Sequence, residues 1–186
     1  LIYSNSLVMW GCIIAELVMV WKISNSVAKE NRSLATTTLM FIIFSALNGV
    51  TLSSIFVLFA PAAIVKTFVI TAGTFGVMAA YGYFTSRDLT KIGGLLFMAL
   101  IGVIIASVVN MFLHSSGLDL VVSIIGVLVF VGLTAWDSQQ IKMSLAMAPD
   151  LGETSQKLAL TGALSLYLDF VNLFLYLLRF FGGSRD

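Results

Sequence analysis

The chain has 186 residues, of which 59% are hydrophobic and only 10% charged, against about 25% charged in a soluble domain. Such a composition excludes a water-soluble globular protein, and a net charge of +1 leaves no basic face for nucleic acid. Cys12 is the single cysteine, which excludes an internal disulfide and a cysteine-rich metal site.

At about 20 apolar residues per crossing, the length has room for six or seven membrane spans and little else. The first span is expected over residues 5–22, from Asn5 through Trp10 to Lys22. The second is expected over 34–59 and the third over 62–84, with Pro61 in the tight connection between them. The fourth covers 93–113, the fifth 119–141 and the sixth 158–181. The connections are short, the longest polar run being Lys142 to Lys157 with Pro149, Asp150, Gly152 and Glu153. None can hold a second domain, so 1–186 reads as one integral membrane domain. Lipid-facing peptide groups must be satisfied within the chain, and no alternating ten-residue segments suggest a barrel. The expected fold is all-α, a polytopic helical membrane bundle with six spans.

Orientation follows from the basic residues. Lys22, Lys29, Arg32, Arg87, Lys91, Lys142 and Lys157 fall on one side, and Lys66, Arg179 and Arg185 on the other. Seven against three places the first side in the cytoplasm. An even number of spans would leave both ends outside, so a further N-terminal helix is expected before Leu1.

Charges inside the spans carry the functional signal, because a charge at membrane depth is costly and usually faces the bundle interior or a water-filled cavity. Glu16, Asp137 and Asp169 qualify. On the last span Gly162, Ser165, Asp169, Asn172, Tyr176 and Arg179 are spaced 3, 4, 3, 4 and 3 residues apart. That spacing sets all six on one helix face, which predicts a central helix whose polar seam lines a site. Asp137 lies near the cytoplasmic end of the fifth span. The depths of Asp137 and Asp169 match if the fifth span runs past Lys142 or the sixth starts a turn late. Two carboxylates in one low-dielectric site resist ionising together and titrate as a unit. With nearby hydroxyl and amide oxygens they also suit a hard cation such as calcium. The alternatives are an Asp137 that snorkels or caps a helix, and an Asp169 that makes a structural polar contact.

The run from Gly162 to Phe180, with Leu168-Asp169-Phe170-Val171-Asn172 at its centre, resembles the signature of the Bax inhibitor-1 (transmembrane Bax inhibitor motif) family in its bacterial form. Leu133 to Lys142 resembles that family's preceding aspartate motif, with Trp136 where Tyr is usual. Asn48 to Phe56 and Tyr81 to Leu89 are similar to further segments of it. The resemblance implies a seven-helix fold with the last helix wrapped by six others, the first helix being missing here. It implies a pH-sensitive calcium leak in the bacterial plasma membrane, not an enzyme, with no cofactor besides the calcium ion it carries. It also implies that Asp137 and Asp169 form a hydrogen-bonded di-aspartyl pH sensor, with Glu16 as the carboxylate of the family's second helix. A basic latch near the cytoplasmic end of that helix is matched best by Lys29 and next by Lys22. A lysine there would latch without bidentate bonding. Ser165 and Asn172 join the expected ion pathway.

Among rival functions, an intramembrane aspartyl protease wants Gly-x-Gly-Asp and Pro-Ala-Leu motifs. Here Leu-Tyr-Leu precedes Asp169, and the only prolines are Pro61 and Pro149. A retinal protein needs a lysine in the last span, which has none. A non-transporting scaffold for other membrane proteins and a proton-coupled cation exchanger remain alternatives. His114 reads as a solvated loop residue, and Asn110 as a polar contact or part of the cavity. Ala72, Gly76 and Ala80, like Gly102 and Ala106, read as close helix packing.

Overall fold

A computed structural model describes residues 6–26, 33–148 and 152–182. Its regular elements are all helices: α1 (Ser6–Ser24), α2 (Leu34–Leu52), α3 (Ile55–Leu58), α4 (Pro61–Phe84), α5 (Thr90–Leu113), α6 (Ser116–Ala146) and α7 (Glu153–Phe181). Among the described residues five stretches are long and apolar enough to cross a membrane: Leu34–Leu58, Pro61–Phe84, Thr90–Leu113, Ser116–Ala146 and Glu153–Phe181. The first expected span is α1, whose 19 residues make about 28 Å of helix. The chain is a multi-pass helical membrane protein.

Three features differ from the sequence expectation, one being the start of α7 at Glu153 rather than at residue 158. The second span is interrupted between α2 and α3, where the Ser53 hydroxyl donates to Val50 O at 2.6 Å and the Ser54 hydroxyl to Thr51 O at 3.0 Å. Such bonds compete with the helical ladder. Conversely, α6 continues past Lys142 to Ala146, through Ser138, Gln139, Gln140 and Lys142. Three of those polar side chains are spent on α4 and the connection after it. The Ser138 hydroxyl donates to Ala79 O at 2.8 Å, Gln139 Nε2 to Arg87 O at 2.8 Å, and Lys142 Nζ to Tyr83 O at 2.5 Å.

The chain divides into two compact units. One holds the described residues of Leu1–Leu58 with Ser144–Leu164, the other Phe59–Met143 with those of Ser165–Asp186. In the first, α1 packs on α2 and buries Ile23 and Phe44. The first turn of α7 joins α2 there, with Leu34 N donating to Glu153 Oε1 at 2.5 Å.

In the second unit α4, α5, α6 and α7 share a core of Val103, Val122, Val129, Phe130, Leu133, Leu173 and Leu177. Phe170 of α7 meets Phe68 and Phe75 of α4 edge-on at 5.6 and 5.4 Å, while Tyr176 stacks on Phe130 of α6 at 5.8 Å. Here α7 touches α4 and α6. Over their full lengths α6 and α7 are buried alike, with ten buried residues in each.

Close helix approach occurs elsewhere than the small-residue stripes suggest. Ala72, Gly76, Ala80 and Gly102 are exposed, and a Cβ on Gly76 or Gly102 would meet nothing within 4 Å. The inward face of α4 is set by Ile64, Thr67, Thr71 and Gly82, all buried. A Cβ on Gly82 would lie 2.0 Å from Ala135 O, so this glycine is what lets α4 touch the backbone of α6. A four-residue spacing of small residues marks a smooth strip, and the apolar neighbours decide whether it faces inward. Ala106, by contrast, does pack against the core.

Candidate functional site

Asp137 on α6 and Asp169 on α7 lie in the same unit. Asp169 is only 5% exposed and Asp137 is half-buried. Their carboxyl groups lie close enough to interact. An ionised carboxylate only accepts hydrogen bonds, so a bond between two of them requires a shared proton. Asp169 Oδ2 is buried and, among the described residues, receives no donor.

The turn that carries Asp137 is placed by contacts on either side of it. Gly82 admits the Ala135 backbone, and Gly93 of α5 leaves room for the Trp136 indole, whose Nε1 would lie 2.2 Å from a Cβ there. On the other side Ser138 is bonded to α4. Gln139, 4% exposed, accepts from Leu89 N at 2.9 Å and donates to Arg87 O at 2.8 Å.

The seam on α7 is only partly internal. Gly162 and Asp169 are buried, Ser165, Asn172 and Tyr176 are half-buried, and Arg179 is exposed. Asn172 Nδ2 donates to Leu168 O of its own helix at 2.8 Å, and Arg179 reaches Asp119 at 3.8 Å. Leu164, Leu173 and Leu178 are as buried as Asp169, so α7 is packed on more than its polar side.

Glu16 belongs to the first unit. Its carboxylate accepts from Thr51 Oγ1 at 2.6 Å and from Asn48 Nδ2 at 3.1 Å, which ties α1 to α2. Asn48 and Thr51 stood in a segment already noted for its resemblance, but nothing in their spacing named Glu16 as the partner. Lys29 lies outside the described residues. Lys157, which in sequence belongs to a loop, is 5% exposed and pairs with Glu153 at 3.4 Å. His114 is exposed and ends α5 in a left-handed conformation, φ 49°. Asn110 supports that turn, its Oδ1 accepting from Ser115 N at 3.0 Å. Among the described residues no three His, Cys, Asp or Glu side chains gather as a metal site. Any cation at Asp137 and Asp169 would draw on two carboxylates plus backbone, hydroxyl or water oxygens.

Residues 1–186 match the family described as "Inhibitor of apoptosis-promoting Bax1". The chain is 50% identical over its whole length to "Inner membrane protein YbhL" of Escherichia coli K12, spanning 79% of that protein. It is 50% identical to a Borreliella burgdorferi protein, again over the whole chain and 79% of the relative. A Streptococcus pyogenes serotype M1 membrane protein is 40% identical over 99% of the chain and 78% of its own length. With six long helices, two aspartates close together on α6 and α7 and a match along its full length, the chain belongs to the Bax inhibitor-1 family.

Proposed function

We propose that this protein is a pH-sensitive calcium leak of a bacterial inner membrane, with Asp137 and Asp169 as the proton-operated gate. The carrying observation is the pair itself: two carboxyl groups close enough to interact on neighbouring helices, one of them buried with an oxygen that, among the described residues, has no donor. A proton shared between them satisfies that oxygen and holds α6 against α7. Loss of the proton leaves two negative charges at short range, which repel one another and attract a divalent cation. Proton occupancy thereby sets both helix separation and calcium affinity. The similarity to an inner membrane protein supports the location.

Purified protein in liposomes tests this without any partner. Calcium entry is measured across roughly two pH units around neutrality for wild type, Asp137→Asn and Asp169→Asn. The expected result is a pH-dependent flux in wild type and a pH-independent flux in each variant. Variants that keep the wild-type pH profile would show that the pair is structural. An absence of flux in wild type would favour a scaffold that acts on other membrane proteins.

A further inference from the structure

The connection between α4 and α5 and the last turns of α6 enclose a depression of about 280 Å³, lined by Thr85, Ser86, Arg87, Asp88, Gln139 and Lys142 among others. It is preformed, because the buried Gln139 side chain holds Arg87 O and Leu89 N at once. The Arg87 side chain is exposed at its edge. Lys142 Nζ lies 5.5 Å from the Tyr83 ring centroid and bonds Tyr83 O, which leaves its other protons for a ligand. Asp88 Oδ1 accepts from Thr90 N at 2.9 Å. Bonds from the Thr90 hydroxyl and amide hold its carboxyl below the usual range, so its charge is engaged at the start of α5. Two cations therefore face one committed anion. Beside the depression Phe84 is 80% and Tyr83 51% exposed, aromatic rings of the kind that sit at a headgroup boundary.

We propose that this depression binds the phosphate of an anionic phospholipid headgroup, with Arg87 and Lys142 as cationic partners and the Thr85 and Ser86 hydroxyls as donors. Arginine suits a phosphate through paired N–H bonds and lysine through its point charge. The inference is independent of calcium transport. The same α6 carries Lys142 and, five residues earlier, Asp137, so a bound lipid would steady the helix end nearest the pair.

The test uses the full chain in detergent, titrated with phosphatidylglycerol or phosphatidylcholine and read by native mass spectrometry for retained lipid. Wild type is expected to retain phosphatidylglycerol in preference to phosphatidylcholine. Arg87→Gln should weaken that retention roughly fivefold, and Arg87→Gln with Lys142→Gln about 30-fold. Lys66→Gln, a cation of α4 remote in sequence that lies over Phe181, should leave it unchanged. Equal retention by wild type and Arg87→Gln overturns the site, and this variant decides even if loss of Lys142 disturbs folding. Displacement of the lipid by inorganic phosphate alone would overturn the lipid assignment in favour of a soluble phosphate.

Discussion

Replacing Gly82 with alanine probes the contact that positions Asp137. The added Cβ would sit 2.0 Å from Ala135 O, 2.7 Å from its carbonyl carbon and 2.8 Å from its Cα, where real contacts do not fall below 3.0 Å. All three atoms are backbone, so no rotamer change relieves the overlap and α6 must retreat by about 1 Å. A retreat of that size would stretch the 2.8 Å bond from Ser138 to Ala79 O beyond hydrogen-bonding range. Overpacking costs about 1–3 kcal/mol and the lost bond about 1 kcal/mol. Alanine's better helix propensity returns roughly 0.5–1 kcal/mol. A net destabilisation of about 2 kcal/mol is expected, a fall in melting temperature of roughly 5 °C. Gly73→Ala and Gly76→Ala on the same helix serve as controls, since a Cβ at either meets nothing within 4 Å. Thermal unfolding in detergent should leave these two level with wild type or slightly above it. If Gly82→Ala melts with Gly76→Ala, α4 and α6 do not touch there.

Two further predictions rest on single side chains. Gln139→Ala removes both bonds to the α4–α5 connection, buries Leu89 N without a partner, and should cost about 1–3 kcal/mol by the same melt. Glu16→Ala strips the acceptor from Asn48 and Thr51 and should destabilise by about 1–3 kcal/mol, whereas Glu16→Gln should recover part of the loss. A Glu16→Ala protein as stable as wild type would mean that α1 and α2 are not joined through that carboxylate.

The spans were legible because membrane helices announce themselves by apolar length, and helices cover most of each of the six expected spans. The residues that shape the site were harder to see. Ser138 and Gln139 read as part of the fifth span and Lys142 as loop chemistry, and none shows its partner until the backbone groups they bond, at Ala79, Arg87 and Tyr83, are brought beside them by the fold. Those partners lie more than 50 residues away in sequence, and a local pattern carries no trace of them. The break at Ser53 and Ser54 was hidden by the apolar residues around it. Lys157 was invisible as a buried cation, because its ion pair with Glu153 spans a single turn that reads as surface. Asp137 and Asp169 were the most legible, since charge is rare inside such helices and the motif around each is long.

The length of α6 makes the bilayer itself an input. Its 31 residues make about 46 Å of helix, against a hydrocarbon thickness of about 30 Å, so it must tilt or protrude. Asp137 stands 21 residues beyond Ser116, about 31 Å along the axis, close to where the far boundary falls for an upright helix. Hydrophobic mismatch then acts on the carboxyl directly: a membrane thinner by about 5 Å, one helical turn, moves Asp137 a turn toward water or tilts α6 more. Acyl-chain length would thus tune proton access to the pair without any change in the protein.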